Sequence, residues 1–318
     1  MKICFDSMEW KREMRSRNGK RKVKIMEQNI ENTQSTAEPM SRQKKVAAIN
    51  DLTGYGRCAL TVSLPVISHM KLQCCPVPTS ILSNHTGYPE YYFDDYTDRM
   101  KPYIAEWRKL GLHFDGICTG FLGSVEQISI VSEFLREFGK NEDGGKKTIV
   151  LIDPVMGDYG KLYSTYTMEM CLEMKKLVQY ADILTPNLTE ACILTDTPYR
   201  EHWRVAEIEK MAETLSQMGP EKVVVTGIPQ HSFVANLCYE KGQECKVMRT
   251  HKIGTSRSGT GDIFASILAA DAVNGVAFEE SVKKASNFIK KCILSSIERN
   301  IPLTDGVCFE DHLGSLAK

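Results

Sequence analysis

A short run of small residues ending in an acid, G-T-G-D at Gly259 to Asp262, stands directly before an apolar, helix-like stretch. The first turn of a helix has unpaired N–H groups and a partial positive charge, so it binds anions where the backbone is accessible. The amides of Gly259, Thr260 and Gly261 can surround a phosphoryl group during its transfer. The Asp262 carboxylate would repel that anion, but it suits a base that deprotonates an attacking hydroxyl. The run predicts phosphoryl transfer to an alcohol, with a simple N-cap acid as the alternative.

A second group of residues suits a magnesium site. Phosphoryl transfer from a nucleotide needs a divalent cation, and hard cations take oxygen ligands, often through water. Asn187 and Glu190 are three residues apart and would share one face of a first helical turn, while Asp153 ends the preceding strand. The spacing predicts that Asp153 and Glu190 hold magnesium through water. A helix start at Asn187 with Glu190 as capping partner is the alternative.

The elements that carry these residues alternate between short apolar runs and longer helical patterns, which is typical of a parallel sheet with helices on both faces. The predicted strands are 46–49, 72–77, 116–118, 148–152, 183–184 and 222–226, and the predicted helices include 124–138, 167–179, 205–218 and 278–297. A late β-hairpin, 232–249, turns at Lys241-Gly242.

Loop-forming residues follow each predicted strand. The runs are NDLTGYG, TSILSNHTGY, TGFLGS, DPVMGD, TPNLTE and TGIP, in chain order. Because ligands of open α/β sheets bind beyond the carboxyl ends of the strands, this repetition predicts a site along one sheet edge.

The composition is that of a globular protein: 318 residues, no formal net charge, 42% hydrophobic and 25% charged residues. No apolar run is long enough for a membrane span, and the N-terminus lacks the pattern of a secretory signal, so we expect a cytoplasmic protein. The 11 cysteines are odd in number and contain no C-x-x-C pair. We therefore expect free, mostly buried thiols rather than disulfides.

Residues 1–43 differ from the rest because they are basic and lack an apolar period. They predict a disordered tail or a misassigned start, since Met40 begins a run that leads directly into the first strand. A nucleic-acid-binding arm is the alternative, which we do not favour. The remaining chain, 44–318, is predicted to form one domain.

The motifs together resemble a known family. The motif N-L-T-E at 187–190, followed by G-T-G-D at 259–262, resembles the motifs of the ribokinase superfamily. SNHTGY, TGFLGS, DPVMGD and TPN resemble the pyridoxal/pyridoxamine kinases in order and spacing, from Lys45 to about Arg299. The resemblance implies a ribokinase-like fold and an ATP-dependent kinase that phosphorylates the 5′-hydroxymethyl group of a vitamin B6 vitamer in pyridoxal 5′-phosphate salvage. It also implies Mg²⁺ and a homodimer, with a monovalent cation as a further candidate cofactor.

The same resemblance assigns roles to individual positions. Asp262 matches the family's base, and Gly259, Thr260 and Gly261 match its anion hole. The positions matching nucleotide, phosphate or metal contacts are Asp153, Thr185, Asn187, Glu190, Thr226 and Gly227, with Gly259 and Thr260 also near ATP. The hairpin 232–249 corresponds to strands that border the nucleotide pocket.

The substrate contacts of the family lie on the first three loops. Thr79 matches a threonine near the pyridine ring, His85 belongs to the segment that shapes the pocket, and Phe121 replaces a tyrosine of some members. A histidine in such a loop also commonly satisfies backbone groups, which is the interpretation we favour for His85. Asp51 stands where vitamin kinases carry serine, and Ile81 where some carry glutamine. Asp51 is predicted to read the substrate ring nitrogen or amine, with a turn-forming role as the alternative.

Other functions fit parts of the sequence. Hydroxymethylpyrimidine kinases of the same superfamily would share Asp262 and are the first alternative. G-x-G-x-x-A at Gly54 to Ala59 resembles the fingerprint of an NAD-binding oxidoreductase, but the acid expected about twenty residues later is missing. A nucleic-acid-binding module that uses the basic arm and a degenerate kinase domain is the third alternative, and the intact G-T-G-D argues against it.

Overall fold

A computed structural model describes residues 42–139 and 147–317. The predicted tail, misassigned start or nucleic-acid arm falls almost entirely on residues 1–41, which lie outside the described residues. All elements given below belong to the unit Gln43–Lys318.

The strands are β1 Lys45–Tyr55, β2 Gln73–Asn84, β3 Phe93–Asp95, β4 Gly116–Thr119, β5 Ile149–Ile152, β6 Gly157–Asp158, β7 Lys161–Leu162, β8 Ile183–Leu184, β9 Lys222–Gln230, β10 Phe233–Glu240 and β11 Lys246–His251. Within the described residues, nine of them form the central sheet, in the order β11-β10-β9-β8-β5-β4-β1-β2-β3. The six strands from β9 to β2 pair in parallel, whereas β3, β10 and β11 pair antiparallel with their neighbours. A separate hairpin consists of β6 and β7.

Helices cover both faces of the sheet. In the described ranges they are α1 Leu60–His69, α2 Thr97–Lys109, α3 Val125–Phe138, α4 Met168–Leu177, α5 Leu188–Leu194, α6 Val205–Gln217, α7 Thr260–Asn274 and α8 Phe278–Glu298. One apolar core joins the sheet to α2 through α6, and a second joins it to α1, α7 and α8. Successive side chains of β1 point to opposite faces of the sheet and so pack into both cores. Ala47 and Ile49 lie in the first core, and Val46 and Ala48 lie in the second.

The predicted fold is confirmed: a mainly parallel sheet with helices on both faces and a late hairpin, now β10–β11, that turns at Lys241 and Gly242. The first two strands are longer than predicted. β1 and β2 stay paired as far as Tyr55 and Asn84, beyond the point where the pairing of β1 with β4 ends at Ile49. Asp51 and Thr79 therefore lie on strands rather than in the loops expected for them.

The register of this extension shifts between Asn50 and Leu52, so Asp51 falls in an irregularity of the β1–β2 pairing. Such irregularities re-aim side chains and are frequent beside active sites. The extension thus brings two polar positions of β1, Asn50 and Asp51, to the edge of the sheet where the predicted site lies.

Among the helices of the described residues, none combines the length and the apolar character that crossing a bilayer requires. The ten cysteines within the described residues are free, and seven of them are buried, as expected from the sequence.

Candidate active site

The G-T-G-D run forms the start of α7. Gly259 is the N-cap residue with φ of 80°, a left-handed conformation, and Asp262 lies in the first helical turn. A Cβ atom on Gly259 would lie 1.8 Å from the carbonyl oxygen of Arg57, so only glycine fits there. The Thr260 hydroxyl donates to the Arg257 carbonyl at 3.1 Å. The backbone of this turn is therefore free of bulky side chains, as an anion site requires.

Asp262 is held beside this turn. Its Oδ1 accepts a hydrogen bond from the Asn50 side-chain amide at 3.0 Å, and its side chain is partly exposed. Burial raises the pKa of Asp262, while hydrogen bonds from the Ala59 amide and from Asn50 oppose that rise. The carboxyl group is thus a stronger proton acceptor than an ordinary aspartate, as a general base should be.

A second carboxylate, Asp153, faces the same turn from the end of β5. A Cβ atom on Gly261 would lie 4.0 Å from Asp153 Oδ2, and Oδ1 accepts from the Thr185 hydroxyl at 3.0 Å. Burial, followed by the charge of Asp262, raises the pKa of Asp153 to about 7. The structure therefore brings Asp153, Thr185 and the α7 turn together, as predicted.

Asn187 and Glu190 form a complete capping box at the start of α5. Asn187 Oδ1 accepts from the Glu190 amide at 3.0 Å, and Glu190 Oε2 accepts from the Asn187 amide at 2.8 Å. Glu190 Oε1 also accepts from the Met156 amide at 3.1 Å, and Asn187 Nδ2 donates to the Gly157 carbonyl at 2.8 Å. The structure therefore contains the capping box that the sequence offered as the alternative. Both side chains also fix the backbone of residues 156–157 beside the site.

Magnesium fits this arrangement only through water. Within residues 42–139 and 147–317, no three His, Cys, Asp or Glu side chains are grouped so that they could hold a metal ion. Both oxygens of Glu190 already accept backbone N–H groups, whereas Asp153 Oδ2 faces the α7 turn. Because Mg²⁺ commonly takes one or two carboxylates together with waters and phosphates, Asp153 is the better candidate of the two.

Thr226 and Gly227 lie beside the start of α5. The Thr226 amide donates to the Pro186 carbonyl at 2.9 Å, and residues Asn187 and Thr226 form an isolated parallel bridge. Gly227 has φ of 69° and no atom within 4 Å of the place of a Cβ, so the space beside its Cα is open, while its amide donates to Asn236 Oδ1 at 3.2 Å. These residues and β10–β11 form the side of the site away from β1 and β2, where the nucleotide was predicted.

The side of the site predicted to hold the alcohol is formed by β1, β2 and the loop after β4. The Thr79 hydroxyl donates to the Phe121 carbonyl at 2.9 Å, so Thr79 fixes the backbone of the Phe121 loop. Asp51 Oδ2 accepts from the Thr53 hydroxyl at 2.6 Å. Burial is the largest cause that raises the pKa of Asp51 to about 7, and the charge of Asp262 contributes.

His85 is occupied by backbone groups, as favoured from the sequence. Its Nδ1 accepts from the Gly87 amide at 3.1 Å, so Nε2 carries the proton and donates to the Thr304 carbonyl at 2.6 Å. A Cβ atom on Gly56 would lie 2.7 Å from the His85 ring. The ring therefore fills the space beside the loop that resembled a dinucleotide fingerprint, which argues against NAD binding there.

Two features of the site were missed from the sequence. The first is the contact of residues 301–306 with Tyr55 at the end of β1 and with Tyr88 in the loop after β2. The Tyr55 and Tyr88 hydroxyls donate to the two oxygens of Asp305 at 2.9 and 2.8 Å, and Arg257 donates to the carbonyls of Ile301, Pro302 and Gly306. The second is Tyr163, whose pKa is raised by burial and then by the charges of Glu190, Asp158, Asp153 and Asp262. Its phenol therefore lies within electrostatic range of these carboxylates.

The buried Asp51 predicts a pH-dependent stability. Its pKa lies near 7 in the folded chain, above the ordinary aspartate value of 3.8, so the folded state loses stability as pH rises through this range. Asp51→Asn keeps an acceptor oxygen for Thr53 and removes the charge. We expect its stabilising effect to grow by about 2 kcal/mol between pH 5 and pH 8. Urea unfolding at both pH values checks this, and an equal effect at the two values would contradict it.

Known proteins share this arrangement of elements. A family model described as phosphomethylpyrimidine kinase matches residues 66–304. The chain belongs to this kinase family. A solved structure of a candidate phosphomethylpyrimidine kinase from Bacteroides thetaiotaomicron is similar, with a TM-score of 0.84 and 37% identity over 89% of this chain and 96% of that one. Pyridoxal kinase from Lactobacillus plantarum has a TM-score of 0.78 and 25% identity over 87% and 97%.

Curated relatives of the family have two kinds of names. The pyridoxine/pyridoxal/pyridoxamine kinase of Bordetella avium is 27% identical over 78% of this chain and 84% of its own length. A chloroplastic thiamine biosynthetic bifunctional enzyme of Arabidopsis thaliana is 25% identical over 81% of this chain, which spans only 48% of that enzyme. The resemblance to pyridoxal kinases and the ribokinase-like fold are confirmed. The relatives include kinases named for vitamin B6 and an enzyme named for thiamine.

Proposed function

We propose that this family member is an ATP-dependent kinase that transfers the γ-phosphoryl group to the 5′-hydroxymethyl group of a vitamin B6 vitamer. The observation that carries the proposal is the start of α7. A left-handed glycine that no other residue can replace opens the backbone of the turn, and Asp262 stands in that turn with a raised pKa. An anion site and a base at one helix start are the parts that phosphoryl transfer to an alcohol needs.

Each group of site residues has its own role in the proposed reaction. Asp262 takes the proton of the substrate hydroxyl while the hydroxyl oxygen attacks the γ-phosphorus. The bond between that phosphorus and the bridging oxygen of ATP breaks, and ADP leaves. The amides of Gly259, Thr260 and Gly261 stabilise the charge that gathers on the phosphoryl oxygens. Thr185, Thr226 and Gly227 bind the nucleotide on the β9 side, and the capping box of α5 holds that backbone in place.

Asp153 would hold magnesium through water, with Glu190 supporting the surrounding backbone. The ion would offset the negative charge of the phosphates in the transition state. A homodimer, a monovalent cation, a cytoplasmic location and a role in salvage stay predictions of the sequence.

Two observations favour a pyridine substrate. A second crystal structure of the Bacteroides protein, whose aligned sequence is 38% identical to this chain, was solved with pyridoxal. Asp51, which is buried and lies near Asp262, can accept a hydrogen bond from a pyridinium nitrogen or from an amine. The family model and the thiamine-pathway relative favour hydroxymethylpyrimidine instead, which makes it the second candidate.

A substrate panel separates the two candidates. The purified chain is incubated with ATP and Mg²⁺ and with pyridoxal, pyridoxine, pyridoxamine or hydroxymethylpyrimidine, and the phosphorylated products are quantified. We expect kcat/KM for the best B6 vitamer to exceed that for the pyrimidine by about tenfold or more, since differences in polar contacts near the ring are worth at least that factor. A pyrimidine turned over faster than every vitamer would replace the proposed substrate while keeping the kinase chemistry.

Asp51 is expected to set the order among the vitamers. Asp51→Ser removes the carboxylate, and we expect kcat/KM to fall about tenfold more for the vitamer that donates to it than for the others. Ile81→Gln, at an exposed position of β2, is the matched variant that adds a polar group and keeps the Asp51 charge. An unchanged vitamer order in Asp51→Ser would contradict this role.

A further inference from the structure

Asn50, a residue of β1 with 6% of its surface exposed, makes three hydrogen bonds at the centre of the site. Its Oδ1 accepts from the amides of Phe121 and Asp51 at 2.8 and 3.0 Å. Its Nδ2 donates to Asp262 Oδ1 at 3.0 Å. One side chain thus links the start of α7 to β1 and to the loop after β4.

The orientation of this amide group is fixed by its partners. Two backbone N–H groups face Oδ1, and neither could pair with the amide nitrogen, because an NH₂ group only donates. The remaining Nδ2 must therefore point at the carboxylate. Asn50 has no freedom to rotate its amide without losing both backbone contacts, so the donor that reaches Asp262 is held in one place.

The loop after β4 packs closely over this side chain. A Cβ atom on Gly120 would lie 2.4 Å from Asn50 Nδ2 and 2.7 Å from its Oδ1. The Gly120 amide donates to the Ile49 carbonyl at 2.8 Å, which fixes the loop over the amide group. Asn50 is therefore packed into its orientation as well as bonded into it.

We propose that Asn50 is a positioning residue, which aims the carboxylate of Asp262 at the substrate hydroxyl and sets its distance from the Phe121 wall. The inference rests on the proposed role of Asp262 as base. Because Asn50 also holds the Phe121 amide, a single side chain determines both where the proton acceptor stands and where the wall of the alcohol pocket lies. Placement of a base within hydrogen-bond reach of its proton is what gives general base catalysis its effect.

This role predicts a specific kinetic pattern. Asn50→Ala should lower kcat about 10–100-fold and leave the KM for ATP nearly unchanged, since Asn50 bonds to Asp262, Asp51 and Phe121 and not to the residues proposed to bind the nucleotide. In the Asp262→Ala background the same change should lower kcat by a much smaller factor, because the base that Asn50 positions is gone and only its contacts with the Phe121 and Asp51 amides are left to lose. Thr148→Val removes a buried hydrogen bond to the Phe114 carbonyl at the start of β5, away from the site, and should leave kcat unchanged.

The test is a double-mutant cycle on the full chain, with kcat and KM measured for ATP and pyridoxal and folding checked by thermal unfolding. If Asn50→Ala lowers kcat by the same factor with and without Asp262, it acts independently of the base and the inference is overturned. An active Asp262→Ala enzyme would instead overturn the proposed base itself. Should Asn50→Ala fail to fold, Asn50→Asp keeps the size and the acceptor oxygen but loses the donor. Wild-type kcat in folded Asn50→Asp would likewise overturn the inference.

Discussion

Asp262→Ala is expected to fold normally and to lose about 10²–10⁴-fold in kcat, the usual worth of a positioned general base. The loss follows from the location of the carboxylate in the first turn of α7, beside the glycine backbone proposed to hold the phosphoryl group. Asp262 is only partly exposed, and its partial burial raises the pKa of the carboxyl group because the charged form is poorly solvated there. Removing such a carboxylate should not destabilise the fold. Steady-state kinetics with ATP and pyridoxal and a thermal unfolding curve measure the two effects.

A second aspartate of the same helix gives the matched control. Asp271 is buried and pairs with Lys284 at 2.6 Å, far along α7 from the glycine turn. Asp271→Ala leaves that lysine without its partner, so it should lower stability but spare kcat. The opposite pattern, with kcat intact in Asp262→Ala and lost in Asp271→Ala, would show that the helix matters and the proposed base does not.

Gly259→Ala should abolish most of the activity through the backbone. A methyl group there would lie 1.8 Å from the Arg57 carbonyl oxygen, and the left-handed φ of 80° adds strain. The turn has to shift, so its amides no longer point at one place. Loss of one such donor typically costs about 10²–10³ in kcat, and we expect at least that loss.

The other end of α7 offers a control with the same backbone conformation. Gly275 is the C-cap residue with φ of 84°, and no atom lies within 4 Å of its Cβ position. Gly275→Ala should therefore cost about 1 kcal/mol of stability from strain alone and leave kcat unchanged. Equal kinetic effects of the two substitutions would mean that strain in α7, and not the geometry of the Gly259 turn, controls activity.

The parts of this fold that sequence predicts well are those with local signals. Strands such as β5 and β9 are short apolar runs bounded by loop residues, and the turn of β10–β11 contains Gly242 with φ of 82°. The G-T-G-D run combines accessible backbone with an acid, so its place at a helix start was predictable from the chemistry of helix termini.

Other features depend on residues far apart in the chain. Asp305 lies 250 residues from Tyr55, and Asn50 lies 212 residues from Asp262, so no local pattern marks either contact. The extension of β1 past its pairing with β4 also had no local signal. The run NDLTGYG has the composition of a loop, and pairing with residues 81–84 of β2 holds it in strand conformation. Glu190 is a case in which a local signal was present but ambiguous. Its spacing of three residues from Asn187 fitted both a metal site and a capping box, and the structure contains the capping box.

The structure of the chain bound to a non-hydrolysable ATP analogue, Mg²⁺ and pyridoxal tests the proposed base and anion site most directly. We expect the oxygens of the terminal phosphoryl group to accept hydrogen bonds from the Gly259 to Gly261 amides, and the hydroxymethyl oxygen to lie within about 3 Å of an Asp262 carboxylate oxygen. A terminal phosphorus bound elsewhere, with Asp262 turned away from the substrate hydroxyl, would contradict this expectation.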